Sequence, residues 1–142
     1  MIIRKAHSKD VRDIAEIYRR VYSEAPYHER WSKKTALGRV RDELEDGKIY
    51  VAEVEKKVAG FIAFSTYEWF DGKWGYIDDF GMLKEYRGRG IGKMLMKKAE
   101  DDLRKAKAKV IDLRVHKKAK AFNMYKKLKY KENGYIDMEK KL

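Results

Sequence analysis

Three glycines, two arginines and a lysine fall within one short run, Arg87-Gly88-Arg89-Gly90-Ile91-Gly92-Lys93. Glycine permits positive φ and lets a ligand approach the main chain closely. From position 91 onward Ile91, Leu95, Ala99 and Leu103 recur every four residues, with Met94 beside them, the spacing of one helical face. Residues 75–82 read as a strand, so the glycines stand where strand hands over to helix. The first N–H groups of a helix lack internal partners and carry the positive end of its dipole. Such a turn seats a phosphate or pyrophosphate, and Arg87, Arg89 and Lys93 add full charges beside it.

The glycine spacing narrows the ligand. A Walker loop requires Ser or Thr after Gly-Lys, but Gly92-Lys93 is followed by Met94. The dinucleotide fingerprint needs a third glycine where Lys93 or Leu95 stands. What remains is Arg-x-x-Gly-x-Gly at Arg87, Gly90 and Gly92, within Glu85-Tyr86-Arg87-Gly88-Arg89-Gly90-Ile91-Gly92. This string resembles the acyl-CoA pyrophosphate loop of the GNAT superfamily of N-acetyltransferases.

Length and composition bound the rest. The chain has 142 residues, 44% of them hydrophobic, which predicts one domain, residues 1–142, with a real core. The absence of cysteine excludes disulfides, thiolate metal sites and a cysteine nucleophile. His7, His28 and His116 are too scattered to suggest a metal cluster. No apolar run reaches membrane-spanning length, and Arg4 and Lys5 interrupt Met1-Ile2-Ile3, so a soluble cytoplasmic protein without membrane association is expected. The net charge of +12 could attract nucleic acid or anionic ligands. The lysines, however, are spread over every predicted helix and mixed with acids, and no nucleic-acid motif is present, so nucleic acid is not the expected partner.

The elements that position the loop follow in order. Residues 2–6 predict a strand, and Ser8 an N-cap for a helix with Val11, Ile14, Ala15, Tyr18 and Val21 inward. Residues 22–31 break the pattern, with Tyr22, Tyr27 and Trp31 either shaping a pocket or plugging a gap between helices. Ser32 caps a second helix with Ala36, Leu37, Val40 and Leu44 inward. Residues 48–54 and 58–66 predict an antiparallel hairpin, the second strand apolar on both faces and so covered on both sides. A turn at Asp71-Gly72, a strand at 109–115, a helix at 118–128 and a last strand pair at 130–142, turning at Asn133-Gly134, complete the chain. This order predicts an α/β (α+β mixed) fold: a mixed, mostly antiparallel central sheet with helices on both faces.

The same order is similar to that of GNAT domains along nearly the whole chain, and residues 119–130 resemble that family's Asn-x-x-Ala-x-x-x-Tyr-x-x-x-Gly-Phe segment, with Ala121, Tyr125 and Tyr130 at its Ala, Tyr and Phe positions. The resemblance implies acetyl transfer from acetyl-CoA, as cosubstrate, to an amine by direct attack. It makes Tyr125 the candidate general acid for the departing thiolate. Main-chain amides from Gly88 to Gly92, with Arg87, Arg89 and Lys93, would hold the pyrophosphate. Gly81, Met82 and Leu83 would receive the pantetheine arm, in a slot where the strand at 75–82 splays from the strand at 109–115. Of Asp78 and Asp79, which strand alternation sends to opposite faces, at most one would meet the acceptor, and Asp79 is preferred as proton acceptor. Lys118 stands where the family has asparagine, and would reach a CoA phosphate or simply be solvated. Lys129 and Lys84 replace a usual glycine and proline. The acceptor, expected near residues 22–31 and 67–70 in a pocket made acidic by Glu24, Glu29, Asp78 and Asp79, is not specified. A CoA-binding sensor, or a transferase of another acyl group, is the alternative within the fold. Oligomeric state, a homodimer included, is not legible.

Overall fold

The computed structural model describes residues 1–142. Strand β1 (Ile2–Lys5) leads through a 3-10 turn (Ser8–Asp10) into α1 (Val11–Ser23), followed by α2 (Lys33–Asp46). Strands β2 (Lys48–Val54), β3 (Lys57–Trp69) and β4 (Gly72–Met82) precede α3 (Ile91–Lys105), β5 (Ile111–Leu113) and α4 (Ala121–Lys127). The strands form one sheet in the order β1-β2-β3-β4-β5, antiparallel except for β5, which runs parallel to β4.

Strand β3 carries the core on both faces, as its unbroken apolar run predicts. Val58, Phe61 and Ala63 pack with Ile14, Ile17 and Val40 of α1 and α2. Ala59, Ile62 and Phe64 pack with Leu95, Ala99 and Leu103 of α3 and Tyr125 of α4. Ser32 caps α2 as predicted, its hydroxyl accepting from the Thr35 N–H at 3.0 Å. Ser8 does not cap α1. Instead Asp10 ends the 3-10 turn, accepting from the His7 N–H at 2.7 Å and from both Arg4 terminal nitrogens at 2.8 and 3.0 Å.

The Arg4 guanidinium holds the buried Asp10 carboxyl below the usual carboxylate range. A depressed folded pKa contributes stability above the unfolded value and loses it as pH falls through the folded one. Asp10→Ala is therefore expected to cost about 2–3 kcal/mol near neutrality. The gap to wild type should close below about pH 4, as chemical denaturation at several pH values would show.

Four expectations change. The strand expected at 109–115 pairs only at residues 111–113, and the helix at 118–128 shortens to α4. The strand pair at 130–142 does not form. Strand residues need a neighbour for their N–H and C=O groups, and β5 offers an edge of three residues. Tyr135, Ile136 and Met138 are exposed, and Asp137 is tied to Arg114 at 2.6 Å.

The fourth change bears on the site. Ala63 pairs with Asp79 and Phe64 with Ile77, so Asp78 is an extra residue, a β-bulge. The bulge resets the alternation. Ile77 packs in the α3 layer, whereas Asp79 lies opposite Ala63 beneath α1 and α2, and Asp78 accepts from the Ser65 hydroxyl at 2.7 Å. Ser65 and Ala63 share a strand face, so both carboxylates lie on the α1–α2 side rather than on opposite faces.

Candidate active site

Between β4 and α3 the chain forms a 3-10 turn (Lys84–Tyr86) and then the glycine loop. Gly88 and Gly90 both have φ of +79°, the left-handed region, and a Cβ built on either would meet no protein atom within 4 Å. The loop thus needs glycine for its backbone path and has open space above it. No protein group accepts from the amide N–H of Gly88, Arg89, Gly90, Ile91, Gly92 or Lys93; the first bonded amide of the helix is that of Met94, to the Gly90 carbonyl. Six consecutive main-chain donors, the last three at a helix N-terminus, therefore lack a partner within the protein, and the space beside Gly88 and Gly90 is open. Gly92 has a different reason: its Cβ would fall 2.9 Å from the Phe80 ring, so the helix start must press against β4.

The cations divide. Arg87 points away from the loop face: its Nε and one terminal nitrogen donate to the Met82 carbonyl at 3.1 and 2.9 Å, and its fork grips Glu24 at 3.0 and 3.2 Å. It braces loop, strand and α1 end together. Glu24, expected in an acidic acceptor pocket, is committed to that brace. The Arg89 guanidinium lies over the Tyr86 ring, 5.3 Å from its centroid, and donates to the Glu85 carbonyl at 3.2 Å. Lys93 is exposed. Arg89 and Lys93 are therefore the charges left beside the amides.

Below the loop β4 and β5 part company. Pairing ends at Ile77 with Leu113, while β4 runs on to Met82. The Leu83 N–H bonds the Ala59 carbonyl across β3, so alternation directs the peptide groups of Met82 and Phe80 toward the open side and those of Gly81 toward β3. Gly81, expected as a main-chain partner for an extended ligand, is instead a packing position. A Cβ there would meet Val21 at 3.1 Å and Phe61 at 3.2 Å. Phe80, which the sequence did not single out, turns its peptide groups to the open side of β4, an orientation that follows from the register after the bulge at Asp78. Leu83 sits just past the strand, half-buried against the α1–α2 layer.

Asp79 is buried, and both its oxygens are engaged: Oδ1 accepts from the Tyr22 hydroxyl at 2.9 Å and Oδ2 from Arg39 Nε at 3.0 Å. Asp78 is half-buried and has one oxygen on Ser65; burial, outweighing that hydrogen bond, raises its pKa. Tyr125 is buried between Phe80 and Tyr130, with ring centroids 6.4 and 5.8 Å away, and its hydroxyl makes no protein hydrogen bond. Burial, with Tyr27 and Asp79 nearby, pushes that hydroxyl well above the ordinary phenol, so it stays protonated.

The aromatic residues of the α1–α2 connection split between the two readings. Trp31 is a plug, edge-on to Tyr18 at 4.8 Å with its indole N–H on Glu29 at 2.8 Å. Tyr22 and Tyr27 line the site: their rings lie 5.0 Å apart, and Tyr27 reaches the ring of His116 at 6.2 Å, across the open side of β4. Lys118 is exposed and lines a cleft of about 470 Å³ with Ala25, Pro26, His28, His116 and Lys120.

An unpaired amide run thus lies above a parted strand, beside a buried tyrosine and two carboxylates. Comparison with known proteins identifies the family. The Acetyltransferase (GNAT) family model matches residues 11–130. An uncharacterized N-acetyltransferase of Archaeoglobus fulgidus is 31% identical over 144 residues, covering 94% of this chain and 97% of its own. MJ1530 of Methanocaldococcus jannaschii, also an uncharacterized N-acetyltransferase, is 36% identical over 101 residues, 71% of this chain and 58% of its own. The fold is also that of a possible acetyltransferase from Clostridium difficile 630, with a TM-score of 0.84 at 23% identity over 99% of this chain and 97% of that one. The chain belongs to the Acetyltransferase (GNAT) family, and its chemistry is acetyl transfer. No helix is long and apolar enough to cross a membrane.

Proposed function

We propose that this protein is an acetyl-CoA-dependent N-acetyltransferase in which an amine attacks the thioester directly. The observation that carries the reading is the run of six amides from Gly88 to Lys93 without a protein acceptor, with open space at Gly88 and Gly90. They fit a diphosphate, with Arg89 and Lys93 as flanking charges and Arg87 as the brace behind them. Lys118, in the cleft beside His116, would reach a further phosphate or simply be solvated. The Phe80 and Met82 peptide groups, facing the parted edge of β4, fit an amide-rich chain laid along a strand. To reach the Met82 carbonyl such a chain must displace Arg87. Acetyl-CoA supplies an acyl group on a thiol leaving group.

The residues then divide the proton work. An amine of lysine type, with a pKa of about 10.4, must give up a proton near neutrality. Asp79 already has both oxygens engaged, by the Tyr22 hydroxyl and Arg39, and keeps none free for an incoming proton. Asp78 keeps an oxygen without a protein partner and has a raised pKa, the better match for a general base. Asp78 is therefore the proton acceptor, Asp79 the anion that orients Tyr22 and Arg39, and Tyr125 the proton donor to the leaving thiolate.

Binding tests this without knowledge of the acceptor. Acetyl-CoA at about 100 times its Kd should stabilise the fold by about 2.7 kcal/mol, a rise in Tm on the order of 5–10 °C. An unchanged Tm at millimolar acetyl-CoA would contradict the reading. A screen of acyl donors and amines then separates a transferase from a CoA-binding sensor.

A further inference from the structure

Glu43 of α2 is buried, its side chain 7% exposed, and neither carboxylate oxygen has a hydrogen-bond partner. The nearest cation is Arg39, whose Nε lies 3.5 Å from Oε2 but is already bonded to Asp79 at 3.0 Å. A buried carboxylate in that position is costly unless it is neutral. The charged and titratable groups around it cluster about Asp79. Arg39 shares its helix, Asp78 and Asp79 come from β4, and Tyr18 comes from α1. Three carboxyls thus face one guanidinium. Burial and Asp79 push the Glu43 acid up to about 10, which leaves Asp79 as the acceptor for its proton.

We propose that Glu43 is a positioning residue for acetyl transfer: its protonated carboxyl donates to Asp79 and, with Tyr22 and Arg39, completes a three-donor clamp that fixes the Asp79 anion beside the proton-accepting Asp78. This rests on the reading of Asp78 and Asp79 given above. With Glu43 neutral, Asp79 and Arg39 cancel, and Asp78 works beside a closed charge pair. If Glu43 were ionised, a second uncompensated negative charge would stand against both aspartates. The assignment also explains why a group that opposes folding is kept. An acid whose folded pKa is raised costs stability above its unfolded pKa, and the cost grows as pH rises toward the folded value.

Two measurements test it. In infrared difference spectra of the protein without substrate, the C=O stretch of a protonated carboxyl should be present at neutral pH. It should disappear in Glu43→Gln, shift in Asp79→Asn, and fade as pH is raised through about 10. This readout needs no turnover, so it remains decisive even if acetyl-CoA proves not to be the donor. In kinetics, Glu43→Leu should lower kcat about tenfold or more with the KM for acetyl-CoA unchanged, while Tm rises above wild type. Glu43→Gln, which keeps an uncharged donor, should recover kcat to within about threefold of wild type. Loss of activity together with a gain in stability is what a merely structural residue would not show. The proposal is overturned if the carboxyl band is absent, if Glu43→Leu keeps the wild-type kcat, or if Glu43→Gln is as slow as Glu43→Leu.

Discussion

Gly90→Val is expected to lose acetyl-CoA binding, with affinity falling by about 100-fold or more, while the protein stays folded. Gly90 has φ of +79° and ψ of 2° at the start of α3, a conformation that a β-branched residue adopts only with strain. Either the valine holds that conformation at a cost of about 1–2 kcal/mol, or the loop relaxes and its amides no longer converge. In the first case the branched side chain occupies the space above the loop, where a Cβ now meets nothing. Both outcomes remove the seat for a diphosphate, and neither touches the core. Calorimetric titration with acetyl-CoA, paired with a melting curve, reads the two effects separately. A variant that binds as tightly as wild type would mean that the loop is only a connection between β4 and α3.

Tyr125→Phe should lower kcat by about 100-fold or more and leave the Kd for acetyl-CoA within about twofold. The hydroxyl makes no hydrogen bond inside the protein, so its removal breaks no structural bond, and the ring still fills the space between Phe80 and Tyr130. Stability should stay within about 0.5 kcal/mol of wild type. Rapid-quench measurement of a single turnover isolates the chemical step. An undiminished rate there would assign the leaving group's proton to another donor and leave Tyr125 as a core ring.

What could be read from the chain follows the range over which each feature is decided. The glycine turn between strand and helix and most of the α3 face are local patterns that the structure shows as read, although Met96, not Met94, joins Ile91, Leu95, Ala99 and Leu103 in the core and Met94 is exposed. The double-sided burial of β3 is local too. The bulge at Asp78 is not local: it arises from the register of β4 against β3, and from it follow the shared face of the two aspartates and the outward peptide groups of Phe80. Arg87 read as a phosphate ligand because its true partner, Glu24, lies 63 positions earlier. Glu43 was within reach, since it follows Ala36 and Val40 at the spacing of one helical face and is buried with them. The closing segment carries the alternation of a strand, but a strand is made by its neighbour, and β5 ends after three residues.

The central claim is that main-chain nitrogens between β4 and α3 hold the diphosphate of the acyl donor. Titration of nitrogen-15-labelled protein with acetyl-CoA tests it most directly, followed amide by amide in heteronuclear NMR spectra. The account predicts that the resonances of Gly88 to Lys93 shift most and saturate together, at the Kd found by calorimetry, with Phe80 and Met82 following as Arg87 gives way. Saturating acetyl-CoA that left those amides unmoved, or shifts confined to the cleft of His28, His116 and Lys118, would contradict it.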